Sequence, residues 1–184
     1  MKDIKEQLVP ALRIFLFLTV LLGGAYPLLI TAIAQIGFGH QANGSLIKKD
    51  GRVLGSELIA QKFEKPGHFW ARPSAVDYNP LPSGGSNFGL TSQDLVSKVA
   101  ERKKAGMTDD LLFASGSGLD PHISPKAALA QISRISGAIG VDADKLTRLV
   151  HEHTEGRQLG VFGEPRVNVF KLNLALDEAG VYKK

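Results

Sequence analysis

The chain has no cysteine, so no disulfide framework holds it together, and an exported domain of this sequence has no thiols to mispair. It has no Asp, Glu, Lys or Arg between Arg13 and Lys48. It also lacks a stripe of one charge. Its 22 Lys and Arg are interleaved with 18 Asp and Glu, and a net charge of +4 spread this way gives no track for a phosphate backbone. Nucleic acid is therefore excluded as a partner. No glycine-lysine-serine or glycine-lysine-threonine phosphate loop occurs, and no internal repeat is visible.

The gap in charge is filled by Ile14 to Phe38, "IFLFLTVLLGGAYPLLITAIAQIGF". As a helix rising about 1.5 Å per residue it reaches roughly 37 Å, enough to cross a hydrocarbon core of ~30 Å with some tilt. Two readings compete. Lys2, Lys5 and Arg13 supply the basic start of a cleaved leader, and Ala32-Ile33-Ala34 a small-x-small site. The apolar run continues right up to that site, however, with no polar stretch before the cut, so an uncleaved anchor fits better. Arg13 abuts the run directly, whereas the next cations, Lys48, Lys49 and Arg52, come well beyond it. The positive-inside rule then places the N-terminus in the cytoplasm and the rest of the chain outside. The expected organisation is a tail at 1–13, a transmembrane helix at 14–38 and a soluble domain at 39–184.

Within the soluble part, "RVLGSELIAQKF" and "HFWARPSA" read as short strands or extended segments. "DYNPLPSGGSNFGLTS", Asp77 to Ser92, is too rich in Pro, Gly, Ser and Asn for a helix and is expected to be a long loop. Thr91 to Asp94 has capping-box spacing before a helix with Leu95, Val96 and Val99 on one face. Ser124-Pro125 is an N-cap followed by proline at the first helical position. Ala128, Leu129, Ile132, Ile135 and Ile139 then predict one helix up to Gly140. Asp142 caps a third helix with Leu146, Leu149 and Val150 inward. In "EPRVNVFKLNLALD", Val167 and Val169 alternate as a strand and a helix is expected from Asn173. The fold class is α+β: one N-terminal transmembrane helix followed by one mixed soluble domain.

"ASGSGLDPHISP", Ala114 to Pro125, looks most like a site. Ser117 fails as a nucleophile of the strand-turn-helix elbow, because the required flanking glycines are Ser115 and Leu119. A dinucleotide fingerprint beginning at Gly116 would place its third glycine at Pro121. An anion seat at the Ser124 helix stays open as an alternative, although capping alone accounts for the residues. "HEHTE", His151 to Glu155, is no zinc motif, since His151 and His153 lie about 200° apart on a helix. A His151–Glu155 surface pair is expected instead. In the span, Thr19, Gly23, Pro27, Thr31 and Gln35 recur every four residues with Gly24 beside them. Small and polar residues along one side suit a neighbouring helix better than lipid. Pro27 leaves the Gly23 carbonyl without its helical bond, so the helix is expected to be disturbed there.

Several blocks in order, "GAYPLLITAIAQ", "QANGSLI", "GSELIAQKF", "HFWARPSA", "SGGSNFG", "ASGSGLDPHISPKAA" and "GEPRVNVFKLNLALD", together resemble the C subunit of the Kdp-type potassium-transporting ATPase over nearly the whole chain. Ala60 departs from that pattern, where glycine is expected, as does Phe113, where a small or hydroxyl residue is. The resemblance implies a single-pass, non-catalytic accessory subunit of an ATP-driven potassium uptake complex in the cell (inner) membrane, partnered by a P-type catalytic subunit and a channel-like pore subunit. It also implies that ATP is reached through a ternary complex, with no cofactor held by this chain alone. The sequence agrees in lacking an Asp-Lys-Thr-Gly phosphorylation motif, Asp144-Lys145 being followed by Leu-Thr. Two roles are implied: a catalytic chaperone that raises the ATP affinity of the catalytic subunit, and an assembly subunit with its domain on the outer side. On this reading Thr19, Gly23, Gly24, Pro27 and Thr31 meet a partner helix in the bilayer, and Ser117, Asp120 and His122 meet a partner outside it. The rivals are a membrane-tethered extracytoplasmic hydrolase using Ser117, His122 and Asp120, and a secreted binding protein released after Ala34.

Overall fold

The computed structural model describes residues 2–179, which form two compact units divided after Leu46. Met1 and 180–184, the ends of the expected tail and soluble domain, lie outside the described residues. So do the side chains of Lys2 and Lys5, on which the orientation argument partly rests.

The first unit is helical almost throughout. α1 (Lys2–Val20) begins far ahead of Ile14, so the expected tail is helical and Pro10 sits inside the helix. A π-helical segment, Leu21–Ala25, joins it to α2 (Tyr26–Gly37). Glu6–Gly37 is long and apolar enough to cross a membrane, and none of its apolar window is covered by protein. The disturbance expected from Pro27 takes the form of a register change. Pro27 lies in the first turn of α2, and the Tyr26 N–H reaches back to the Leu21 carbonyl, one residue further than in an α-helix. Gly23 and Gly24 sit in the widened turn. A short α3 (Gly39–Ala42) follows, and Asn43 Nδ2 donates to Gln35 Oε1 at 3.1 Å.

The division falls at the first residue of β1 (Leu46–Lys49), which pairs with β2 (Arg52–Ser56) through a turn at Asp50 and Gly51, both left-handed at φ 51° and 75°. No helix or strand forms from there until α4 (Gln93–Lys104). Ser92 stands at the N-cap of α4 without a side-chain bond, so the capping box expected from Thr91 does not form. A 3₁₀ turn (Asp109–Leu112) leads to β3 (His122–Ile123).

The single helix expected after Ser124 is two helices, α5 (Pro125–Ala130) and α6 (Ile132–Ile139), parted at Gln131. Ser124 Oγ accepts from the Ala127 N–H at 3.1 Å, as the N-cap predicts. α6 ends at Gly140, whose φ of 69° is the left-handed geometry that favours glycine. α7 (Ala143–Glu152) is capped by Asp142. β4 (Thr154–Glu155) and β3 flank β5 (Arg166–Asn168) in an antiparallel sheet, with His122 opposite Asn168 and Glu155 opposite Arg166. α8 (Val169–Glu178) begins before the expected Asn173. The Asn168 side chain accepts from the Lys171 N–H at 3.1 Å and caps the helix that starts at Val169, while the Val169 N–H bonds the Pro121 carbonyl at the end of the β3–β5 ladder.

Phe69, Leu111, Ile123, Ile135, Leu146, Leu172 and Leu176 fill the core. The "HFWA" segment crosses it without joining a sheet. Asn173 accepts from the Phe69 N–H at 2.8 Å and donates to its carbonyl at 2.9 Å. Gln131 treats Trp70 the same way, at 2.8 and 3.2 Å. Two buried amide side chains thus do the work of a neighbouring strand. Gln131, which makes the bonds to Trp70, stands at the junction of α5 and α6.

Candidate functional site

The turn from Ala114 to Pro125 is fastened at many points. The Ser115 N–H bonds the Pro73 carbonyl at 3.0 Å, the Gly84 N–H bonds the Ser117 carbonyl at 2.9 Å, and the Ala60 N–H bonds the Leu119 carbonyl at 2.9 Å. Ala60, one of the two departures from the pattern of the resembled family, is accommodated at 4% exposure. Gly118 has φ 72°, and a Cβ there would lie 2.7 Å from Val76 Cγ2 and 2.8 Å from the Gly84 carbonyl. A Cβ on Gly85 would come within 2.9 Å of the Gly116 carbonyl. Gly85 of "SGGSN" and Gly118 of "ASGSG" are each pressed against the other loop's backbone, whereas a Cβ on Gly84 or Gly116 would meet nothing within 4 Å. Neither close approach needs a phosphate to account for it.

At the centre of this clasp Arg72 Nη1 donates to Asp120 Oδ2 at 3.2 Å, and Nη2 donates to the Ala114 carbonyl at 3.4 Å. Asp120 Oδ1 accepts the His122 N–H at 3.0 Å. The His122 ring nitrogen Nδ1 stands 3.6 Å from the same oxygen, within ion-pair reach but beyond a good hydrogen bond. Burial alone would raise the Asp120 carboxyl. The His122 side chain and N–H, together with Arg72, outweigh that and hold it below its ordinary value.

The structure brings Asp120 and His122 together but directs Ser117 elsewhere, since its hydroxyl accepts the Leu119 N–H at 3.1 Å. With Asp120 engaged by Arg72 and Ser117 by its own turn, the hydrolase reading has no nucleophile–base–orienter chain. The anion seat at the Ser124 helix is already taken. Asp110 accepts from the Ser124 N–H and from its hydroxyl, both at 2.7 Å, so a carboxylate of the protein occupies that end. The expected His151–Glu155 pair does not form. Glu155 is held by Arg166 across the β4–β5 ladder at 3.0 Å, because the sheet register sets them opposite. Among the described residues no group of three or more His, Asp or Glu is placed to hold a metal ion.

In the span, Thr19 Oγ1 donates to the Phe15 carbonyl and Thr31 Oγ1 to the Pro27 carbonyl, both at 2.8 Å. These hydroxyls need no partner in lipid. Apart from the adjoining residues and the helix's own backbone, nothing lies within 4 Å of a Cβ built at Gly23 or Gly24.

Sequence reasoning missed Arg72, Asp110, Gln131, Asn173 and Arg134. Arg134 lies over the Trp70 ring, 3.6 Å from its centroid, and donates to the Pro66 and His68 carbonyls at 2.6 and 2.8 Å. Burial pushes its guanidinium down to about 10, still charged at neutral pH. The signal that could have found several of these is a polar residue on an otherwise apolar face, such as Gln131 between Ala128 and Ile135.

A family model described as "KdpC: K+-transporting ATPase, c chain" matches residues 8–178. The chain is 52% identical over 186 residues to the "Potassium-transporting ATPase KdpC subunit" of Sorangium cellulosum, covering 94% of this chain and 98% of that protein. It is 50% identical over 189 residues to the subunit of the same name from Geobacter metallireducens, covering 96% and 98%. The corresponding protein of Caldanaerobacter subterraneus subsp. tengcongensis is 44% identical over 191 residues, covering 97% and 99%. With the match running from the first helix to the last, the chain belongs to the KdpC family, the c chains of K+-transporting ATPases.

Proposed function

We propose that this chain is the accessory, non-pore and non-catalytic subunit of an ATP-driven potassium import complex, working beside a P-type catalytic subunit and a channel-like pore subunit. The observation that carries the reading is end-to-end similarity to potassium-transporting ATPase subunits in a chain with one candidate span. One helix cannot enclose an ion path, so transport has to reside in the partners. The stripe of Thr19, Gly23, Gly24, Pro27 and Thr31 packs against a partner helix. Ser117, Asp120 and His122 present the clasped turn to a partner outside the bilayer. Self-bonded threonines and unobstructed glycines support the first contact, and a turn held rigid before binding supports the second.

With the N-terminus in the cytoplasm, the soluble domain is separated from cytoplasmic ATP. Its chaperone effect on ATP affinity then travels through the partners as coupling free energy. Affinity purification of the full chain from membranes expressing the whole complex tests the assignment. Recovery of a P-type subunit and a multi-span subunit supports it, and recovery of neither overturns it. ATP hydrolysis by complexes with and without this chain tests the chaperone role, the expected result being a raised KM for ATP when the chain is absent.

A further inference from the structure

α4 differs from the other helices of its unit. α5, α6, α7 and α8 each place residues in the interior, whereas no residue of α4 is buried. Its apolar side, with Leu95, Val96 and Val99, opens together with Leu90 and Phe113 onto a shallow trough of about 380 Å³. Leu90 is 92% exposed, Val96 57% and Phe113 47%. Leu95 and Val99 are half-buried, so the chain itself covers only part of the apolar side of this amphipathic helix, and the rest of its cover belongs to something else.

The charges on α4 indicate what that surface is. Lys49, Lys126 and Lys171 hold Glu178, Asp109 and Glu57. Lys98, Lys103 and Lys104 make no ion pair among the described residues. Lys98 lies over the Phe88 ring, 4.8 Å from its centroid, and Lys103 stands at the trough itself. The helix dipole accounts for cations in the last turn, but not for Lys98 in the middle or for the uncovered apolar side. The helix's own acids are Asp94, in the first turn, and Glu101.

We propose that this side of α4 docks on the anionic headgroup region of the bilayer in which the chain is anchored. Lysines around an apolar strip match that interface, with the aliphatic stems lying on the strip and the ammonium groups among the phosphates. The tether makes weak affinity sufficient. Residues 38–45, which include α3, separate Gly37 from Leu46, and even fully extended this stretch would span only about 30 Å, so the tether supplies a high effective concentration at the bilayer.

The absence of cysteine makes the test direct, since Val96→Cys gives a unique thiol for an environment-sensitive fluorophore. The full chain is placed in nanodiscs of phosphatidylcholine alone or of phosphatidylcholine with phosphatidylglycerol. A blue-shifted emission, quenched by lipid-borne spin label, is expected only in the anionic discs. Raising salt from 0.1 M to about 1 M, where the screening length falls to ~3 Å, should reverse it. Combining Lys98→Gln, Lys103→Gln and Lys104→Gln should lower the docking constant about fivefold per lysine, whereas Lys126→Gln should leave it unchanged. Unaltered thermal melting of the triple variant shows that its fold is intact. Equal emission in both kinds of disc overturns the proposal. So does a shift that appears only when the other subunits are added and ignores lipid charge, which would give this side of α4 to a protein.

Discussion

Arg72 Nη1 and Asp120 Oδ2 meet at 3.2 Å across 48 residues of sequence, and through that contact the segment after Trp70 is tied to the turn that starts β3. Both side chains are partly exposed, at 26% and 33%, so the pair is screened but not fully solvated. Removing either partner leaves the other charge half-covered. Arg72→Met and Asp120→Asn should each destabilise the soluble unit by about 1–3 kcal/mol, with the double variant costing less than their sum. Urea unfolding followed by Trp70, the single tryptophan, measures all three.

The same pair gives a pH signature. Asp120 is depressed in the folded state, so its ionised form contributes stability above the ordinary carboxyl value of 3.8. That contribution is lost as pH falls through the lower folded value. Asp120→Asn should therefore be less stable than wild type at neutral pH and approach it in strong acid. A constant gap across that range would show that the carboxylate charge is not what stabilises the turn.

Two glycines of the Ala114–Pro125 turn make opposite predictions. Gly118→Ala forces a Cβ into Val76 and the Gly84 carbonyl at a left-handed φ, and should cost about 1–3 kcal/mol. Gly116→Ala points into open space and should change melting little. Equal effects at both sites would mean that the loops are not in contact.

Asn173 is 1% exposed and satisfies both backbone groups of Phe69. Asn173→Leu keeps the branched heavy-atom shape, with bulkier methyl groups, but strands a buried N–H and a buried carbonyl. A loss of about 2–5 kcal/mol is expected, with little soluble-domain signal left at 37 °C. Wild-type stability in this variant would refute the strand-like role of the amide.

In the span, Gly23→Leu meets no obstacle within the chain, so the variant should insert and accumulate normally. Overpacking a helix–helix contact costs ~1–3 kcal/mol, enough to lose the partners during detergent purification. Leu22→Ile should co-purify as wild type does. If Gly23→Leu also does so at matched expression, the soluble domain supplies the attachment.

Protease added to intact spheroplasts should digest the soluble domain, because Arg13 borders the apolar run on the side expected to face the cytoplasm. Digestion only after lysis would reverse the topology and bring the domain within reach of cytoplasmic ATP.

The features that the sequence determined by itself are those set by local physics. A charge-free apolar run long enough for a bilayer, Ser124 and Asp142 as N-caps, and Gly140 as a left-handed stop need only neighbours within a few residues. The ordered blocks of residues carried the family in the same way. Tertiary structure alone decided the rest, because those features depend on which distant groups arrive together. Glu155 pairs with Arg166 rather than His151 because the β4–β5 register opposes them. One predicted helix divides at Gln131, whose amide bonds both backbone groups of Trp70, 61 residues away in sequence. Arg72 and Asp120, at the heart of the clasped turn, sit in different blocks of sequence whose meeting no local period encodes.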